Sequence, residues 1–344
     1  MVDLDIAVVI VTYKCAQFTI DSVRSLQTGR SIAGIKLRAI VVDNASGDLP
    51  AIAEAVRIND WSTWVTLVEA PKNGGFAYGN NFGIARAFAA GVPSYIYLLN
   101  PDAQVRPNAI ESMVRFMEAR PDVGIVGSGF ENLDGSDWPI AFRFPTLTSE
   151  LIEGLDFGIV TRMLHRWVVP REMSKMAQPV DWICGASMLI RPQVFSKIGG
   201  LDENYFLYFE ETDFCNRAKQ AGYPTWYLPE SRVMHIGGQA TKVTDLTAGP
   251  KRLPAYWFAS RRRYFAVTFG TAHAIAIDIV SLLAHALGSL KRIALLRTHR
   301  GVPHFIRDLI RHSIIWPKNR DFPAVRYSAI EARSEAQPQG NPAR

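Results

Sequence analysis

Two runs of aliphatic residues most constrain the fold: Ile6-Ala7-Val8-Val9-Ile10-Val11 and Leu37-Arg38-Ala39-Ile40-Val41-Val42. A nearly unbroken apolar run leaves no polar face, so each reads as a strand buried on both sides. The rhythm continues along the first half. Helical patterns cover about residues 18–26, 49–58, 76–90 and 108–120, and further strands are expected at 64–69, 94–99 and 123–127. Strands alternating with helices at this spacing predict an α/β fold around a mostly parallel, doubly wound sheet. Ligands of such sheets bind beyond the carboxyl ends of the strands, where Asp43 and Asp102 both fall.

The second half changes character. Residues 135–178 have weak periodicity and scattered aromatics, and read as loops that shape a pocket. A strand is expected at 182–190, a helix at 210–222, and a short strand ending at His235. The expected organisation is a catalytic domain over 1–253, with a nucleotide half about 1–130 and an acceptor half about 131–253. A helical, basic extension follows over 254–333, then a polar tail over 334–344.

Five constellations carry chemistry. Asp43-Asn44 at a strand end can address a base or ribose, or simply cap the next helix. Asn73-Gly74-Gly75-Phe76, followed by Asn80, offers close backbone approach and free N–H groups to an anion, or a plain turn. It is neither a P-loop nor a Gly-x-Gly-x-x-Gly motif. Asn100-Pro101-Asp102 puts two oxygen-bearing side chains at one strand end. That suits Mg²⁺ or Mn²⁺ shared with substrate phosphates, and equally suits a capped turn. Glu210-Glu211-Thr212-Asp213 crowds three acids at a helix start, which fits a general base of raised pKa or a solvated first turn. A lone histidine such as His235 is more often structural than a ligand, unless it shares a pocket with Asp102.

Cys15, Cys184 and Cys215 show no metal or redox spacing and read as reduced thiols. The N-terminus lacks the basic start and apolar run of a signal peptide, so a cytoplasmic location is expected. Charge is uneven. Residues 251–344 hold 16 Lys and Arg against 5 Asp and Glu, while residues 1–250 hold 22 against 27. An acidic body argues against a nucleic-acid binder, which would interleave basic and aromatic residues over its surface. Residues 264–290 are mostly apolar between Arg261-Arg262-Arg263 and Lys291-Arg292, with Arg297 and Arg300 beyond. They are long enough to cross a bilayer, but His273, Asp278 and His285 interrupt them, and Asp278 and His285 share a helical face. The favoured reading is a helix on the inner face of the cell membrane, with basic flanks over 261–300 on anionic lipid. The others are packing on the body or on a second copy of the chain, and spanning.

In order, these motifs resemble family 2 glycosyltransferases of the GT-A fold, and within them the bacterial rhamnosyltransferase branch. The resemblance rests on Val9-Ile10-Val11-Thr12-Tyr13, Val42-Asp43-Asn44-Ala45-Ser46, Asn73-Gly74-Gly75-Phe76, Leu98-Leu99-Asn100-Pro101-Asp102, Cys184-Gly185-Ala186, Gly199-Gly200-Leu201-Asp202-Glu203, Phe209-Glu210-Glu211-Thr212-Asp213 and His235, and covers about residues 5–265. It implies an inverting transfer of a sugar from a nucleotide diphosphate to a hydroxyl of a glycan or glycolipid. L-Rhamnose from a deoxythymidine diphosphate donor comes first. A galactofuranosyl or other hexosyl transfer from a UDP-sugar is the alternative, and a non-catalytic nucleotide-sugar-binding or scaffold protein is the alternative of another class. Carried over, the resemblance implies that Thr12, Tyr13, Asp43 and Asn44 line the nucleotide pocket and that Asn73, Gly75 and Asn80 approach the diphosphate. Asp102 would ligate a divalent metal with Asn100 beside it, and His235 would complete the metal site. Trp182, Cys184, Gly185 and Ala186 would border sugar and acceptor. Glu211, beside Glu210, would be the base.

Overall fold

A computed structural model describes residues 3–132, 134–138, 140–237, 250–296 and 301–327; the expected tail at 334–344, with Arg297 and Arg300, lies outside these. In chain order the first half runs β1 (Leu4–Thr12), α1 (Ala16–Ser25), β2 (Ile35–Asp43), α2 (Leu49–Ile58), β3 (Val65–Glu69), α3 (Gly75–Ala89), β4 (Tyr95–Leu99), β5 (Ala103–Val105), α4 (Ala109–Glu118) and β6 (Ile125–Glu131). The expected alternation is present, each boundary within a few residues. Then come β7 (Asp137–Trp138), β8 (Ala141–Phe142), α5 (Leu147–Leu155), α6 (Gly158–Met163), β9 (Gln178–Val180), β10 (Trp182–Ile183), β11 (Ser187–Ile190), α7 (Pro192–Ile198), α8 (Glu210–Gln220) and β12 (Thr225–His235). The chain continues with α9 (Ala255–Phe269), α10 (Thr271–Ala294) and α11 (Phe305–His312).

The main sheet has the order β3-β2-β1-β4-β11-β6-β12-β5. Pairs β1–β2, β1–β4, β2–β3 and β6–β12 are parallel, whereas β11 runs antiparallel between β4 and β6. The sheet is therefore mixed, mostly parallel at its first edge. Ile6 through Ile10 are wholly buried, as a strand covered by helices on both faces requires. The strand expected at 182–190 is two strands, β10 and β11, because the chain breaks pairing at Cys184-Gly185-Ala186. The strand ending at His235 is long rather than short: 11 residues, with a register shift between Leu228 and Arg232 where Pro229 cannot donate to the ladder.

Two expectations are corrected. Residues 135–178 are not only loops: α5 starts on a capping box in which the Thr146 and Ser149 side chains each bond the other's backbone N–H. It packs on α10 at Gly154 and Gly288, where a Cβ on Gly288 would stand 2.2 Å from the Gly154 carbonyl oxygen. The second correction concerns Arg261-Arg262-Arg263, read as a basic flank for lipid. Arg261 is buried, pairing with Glu150 of α5 at 2.6 Å and Asp278 of α10 at 2.5 Å. Arg263 is buried against Asp202, and Arg262 donates to the His312 carbonyl at 2.6 Å. A desolvated guanidinium needs a paired carboxylate, so these arginines lock α9 inward. Asp278 faces the same way and also accepts from Ser313 Oγ and the Ile314 N–H. His285 stacks on Phe305 on that face too. The opposite face of α10 leaves Ile279, Leu283, Leu287, Leu290 and Ile293 exposed.

Candidate active site

Register brings the strand ends together. Thr12 lies opposite Asp43 across β1 and β2, and Thr12 Oγ1 donates to Asp48 at 2.6 Å. Asp43 is wholly buried and accepts four bonds from its own loop: Ser46 N–H and Oγ, Gly47 N–H and Asp48 N–H, at 2.6–3.1 Å. Its carboxylate thus shapes the loop that any nucleotide would meet. Tyr13 sits half-buried on the turn after β1. Asn44 Nδ2 donates to Asn73 Oδ1 and the Gly75 carbonyl, both at 3.0 Å, and Gly75 N–H donates to Asn73 Oδ1 at 3.1 Å. Asn44, Asn73 and the glycine turn are therefore one unit. Asn80 is spent on its own helix, donating to the Phe76 carbonyl. Gly75 has φ +86°, and a Cβ there would lie 1.9 Å from the Phe206 carbonyl oxygen, which also accepts from Phe76 N–H at 2.9 Å. The turn is docked on the loop that enters α8.

Asp102 and His235 meet at the neighbouring strand ends. His235 Nε2 lies 3.2 Å from Asp102 Oδ1, with Asn100 Nδ2 3.5 Å from the same nitrogen. The imidazole stacks on Trp138 at 4.9 Å and meets Phe130 edge-on, which fixes its plane. Its Nδ1 is buried with no hydrogen-bond partner among the described residues. One carboxylate, one imidazole and one amide suit a hard divalent cation that takes its remaining ligands from substrate phosphates. No group of three or more His, Cys, Asp or Glu with metal-binding geometry occurs among the described residues, so such a cation would depend on the substrate.

The antiparallel insertion of β11 brings Cys184-Gly185-Ala186, expected to border sugar and acceptor, next to the end of β4. Asn100 N–H donates to the Ala186 carbonyl at 3.0 Å. A Cβ on Gly185 would stand 3.0 Å from Phe76 Cζ and 3.8 Å from Glu211 Cβ. Burial pushes the Cys184 thiol up to about 12, and the negative charges of Glu211, Asp102 and Glu210 add to it. Burial lifts the Glu211 carboxyl to about 7, although the backbone N–H groups of Glu211 and Gly185 act the other way. Burial, then the neighbouring Glu211, holds Glu210 well above the usual carboxylate range. One oxygen of each, Oε2, is buried with no partner among the described residues. Two adjacent acids in such a place resist ionising together, and the one that loses its proton near neutrality has the chemistry a general base requires.

Tyr208 and Phe209 enter α8 with φ of +70° and +68°. Bulky residues rarely hold a left-handed backbone, and two in succession mark stored strain at the step that aims Glu211. Glu211, Trp182, Tyr208 and Phe209 line a cavity of ≈ 610 Å³ with Phe142 and Trp257. Trp182 is stacked on Phe142 at 4.2 Å and donates to the Arg143 carbonyl at 2.9 Å. Phe76 and Phe209 lay inside motifs the sequence singled out, but it assigned no role to Asp48 or Trp138. Asp48 followed a cap-like Ser46-Gly47 that could have flagged it; Trp138 carried no local signal.

Fold and site together define a glycosyltransferase. The chain belongs to glycosyl transferase family 2, whose profile matches residues 7–177. It is 28% identical over 229 residues to an N-acetylglucosaminyl-diphospho-decaprenol L-rhamnosyltransferase of Mycobacterium tuberculosis, covering 63% of this chain and 70% of that one. It is 28% identical over 166 residues to rhamnosyltransferase WbbL of Escherichia coli, covering 47% and 60%. It is 25% identical over 218 residues to the low-salt glycan biosynthesis hexosyltransferase Agl10 of Haloferax volcanii, covering 63% and 62%. Among solved structures, GalNAc-T7 with UDP, GalNAc and Mn²⁺ is similar at a TM-score of 0.57 and 14% identity, over 90% of this chain and 57% of that one. The mannosyltransferase PcManGT of Pyrobaculum calidifontis, with GDP-Man and Mn²⁺, follows at 0.50 and 17%, over 86% and 77%. These two likenesses are of fold.

Proposed function

We propose that the protein is an inverting transferase that moves L-rhamnose from a deoxythymidine diphosphate donor to a hydroxyl of a lipid-linked or polysaccharide acceptor. The observation that carries this is Glu211: a carboxyl poised near neutrality on the wall of an aromatic cavity, its Cβ close to Gly185, the neighbour of the Ala186 whose carbonyl takes the Asn100 N–H. Glu211 takes the proton of the acceptor hydroxyl as that oxygen attacks the anomeric carbon. The bond from that carbon to the diphosphate breaks on the opposite face, so one displacement inverts the centre and needs no covalent sugar–enzyme intermediate. Asp102 and His235, with Asn100 beside them, would hold Mg²⁺ or Mn²⁺, which when bound offsets charge on the departing diphosphate. Phe142, Trp182, Tyr208 and Trp257 offer apolar faces for the acceptor.

The rhamnosyltransferase relatives support rhamnose as the sugar moved, and the Haloferax hexosyltransferase supports another hexose as the second reading. A non-catalytic binder would have no use for acids at both 102 and 211. The exposed apolar face of α10 supports a peripheral place on the inner face of the membrane, with helix α10 lying along the surface. The test is a screen of nucleotide-sugars with Mn²⁺, read by thermal shift and by transfer to N-acetylglucosaminyl-diphospho-decaprenol, the acceptor named for the Mycobacterium relative. The deoxythymidine diphosphate rhamnose donor should give the largest shift and the product; transfer from UDP-sugars alone would overturn the rhamnose assignment.

A further inference from the structure

Residues 142–146 run between two cavities. Phe142 and Pro145 line the one that holds Glu211; Arg143, Phe144 and Thr146 line a second, also of ≈ 610 Å³, on the reverse side. The two share no lining residue. Arg143, Arg166, Arg171 and Lys219 line the second cavity against one carboxylate, Asp181. Both oxygens of Asp181 are taken, by Lys219 Nζ at 2.7 Å and by the Phe144 N–H at 3.1 Å. Three arginines therefore line the cavity with no acid of its lining paired to them. Two are pre-positioned: Arg143 donates to the Val168 carbonyl at 2.9 Å, and Arg171 to the Pro179 carbonyl at 2.6 Å. Tyr264, wholly buried, lines the same cavity, and its hydroxyl has no partner among the described residues; nor has Thr268 Oγ1. Buried hydroxyls without a partner are costly, and here two of them sit in one cationic cavity.

We propose that this cavity is a phosphate-binding site that takes a phosphate mono- or diester. Guanidinium groups meet phosphate oxygens in parallel pairs, and the hydroxyls of Tyr264 and Thr268 donate alongside. Trp167 and Phe269, exposed and lining the same cavity, give it an apolar rim. The ester belongs either to a soluble molecule or to a lipid headgroup. This site does not depend on the transfer reaction, and its test needs none.

The experiment titrates sn-glycerol 1-phosphate into the full chain by calorimetry, in EDTA at fixed ionic strength. In parallel it floats the protein with phosphatidylglycerol or phosphatidylcholine vesicles. At least one phosphate source should bind. Arg166→Gln/Arg171→Gln should weaken that binding about tenfold or more, and Tyr264→Phe about fivefold, while Arg115→Gln on α4 changes nothing. Glycerol phosphate binding assigns a soluble ester; binding to phosphatidylglycerol vesicles alone assigns a headgroup if the arginine variants weaken it, whereas vesicle binding those variants leave unchanged belongs to α10 and counts against the cavity. Should the double variant not fold, Arg166→Gln alone, at an exposed side chain, should still weaken binding severalfold. Neither probe binding, or variants binding as the wild type does, would overturn the proposal.

Discussion

Gly75→Ala should separate two effects that glycine substitutions usually mix. At φ +86° an alanine carries a left-handed strain of about 1–2 kcal/mol. Its Cβ would also meet the Phe206 oxygen, carbon and Cα at 1.9, 2.6 and 2.8 Å, all backbone atoms that cannot rotate away. Ordinary contact begins near 3.4 Å, so the turn and the 206 loop must part by about 1.5 Å. That breaks the Phe76 N–H to Phe206 carbonyl bond, worth about 1 kcal/mol net. The sum is about 2–3 kcal/mol, or roughly 3–4 °C in Tm for a chain of this size. Phe206 stands just before the strained Tyr208–Phe209 pair, so the displacement reaches Glu211. A misplacement of about 1 Å at reacting groups costs on the order of 10²-fold in rate. Gly91→Ala is the control: φ there is +122°, with nothing within 4 Å of the added carbon, so it carries strain alone and should keep full activity. Differential scanning fluorimetry and transfer kinetics below both melting points read the outcome. Equal stability and turnover in the two variants would refute the coupling of turn and base.

Activity should rise about tenfold per pH unit up to about 7 and then level, because Glu211 acts only when deprotonated. Stability should move oppositely. Between the ordinary 4.5 and about 7 the folded chain keeps a proton that the unfolded chain has lost, so raising pH through that window favours unfolding, and the Tm of Glu211→Gln should flatten there. Asp102→Ala and His235→Ala should each raise the Mn²⁺ needed for half-maximal transfer by about 10–100-fold, read by metal titration with donor present. Unchanged titrations would remove them from the metal site. Leu283→Glu/Leu287→Glu, on side chains 60% and 56% exposed, should leave Tm within about 1–2 °C but release the protein from anionic liposomes in flotation.

The strand–helix rhythm was legible because strands buried on both faces must be apolar throughout, as residues 6–11 and 37–42 are. Helix α2 fell at the expected 49–58 for a similar reason, with Pro50 in its first turn. Helix α5 was missed: its capping box uses Ser149 in place of Glu or Gln, and its packing surface is α10, more than a hundred residues away. Charge misled at Arg261 and Arg263, since composition does not distinguish a solvated cation from one paired in the interior. The shared face of Asp278 and His285 was right, and it turns inward to Arg261 and Phe305. At the site, the order of motifs named Asp102, His235 and Glu211. What it could not give was the route between them: β11 inserted antiparallel beside β4, which sets the Ala186 carbonyl on the Asn100 N–H.

The central claim is that Glu211 is the base of an inverting transfer. The most direct measurement is single-turnover transfer by Glu211→Gln, with donor affinity measured separately by calorimetry. The amide keeps the shape and removes the proton acceptor, so turnover should fall by ~10²–10⁴-fold with donor affinity within about twofold of wild type. Near-normal turnover in that variant, or a loss traced wholly to donor binding, would contradict the assignment.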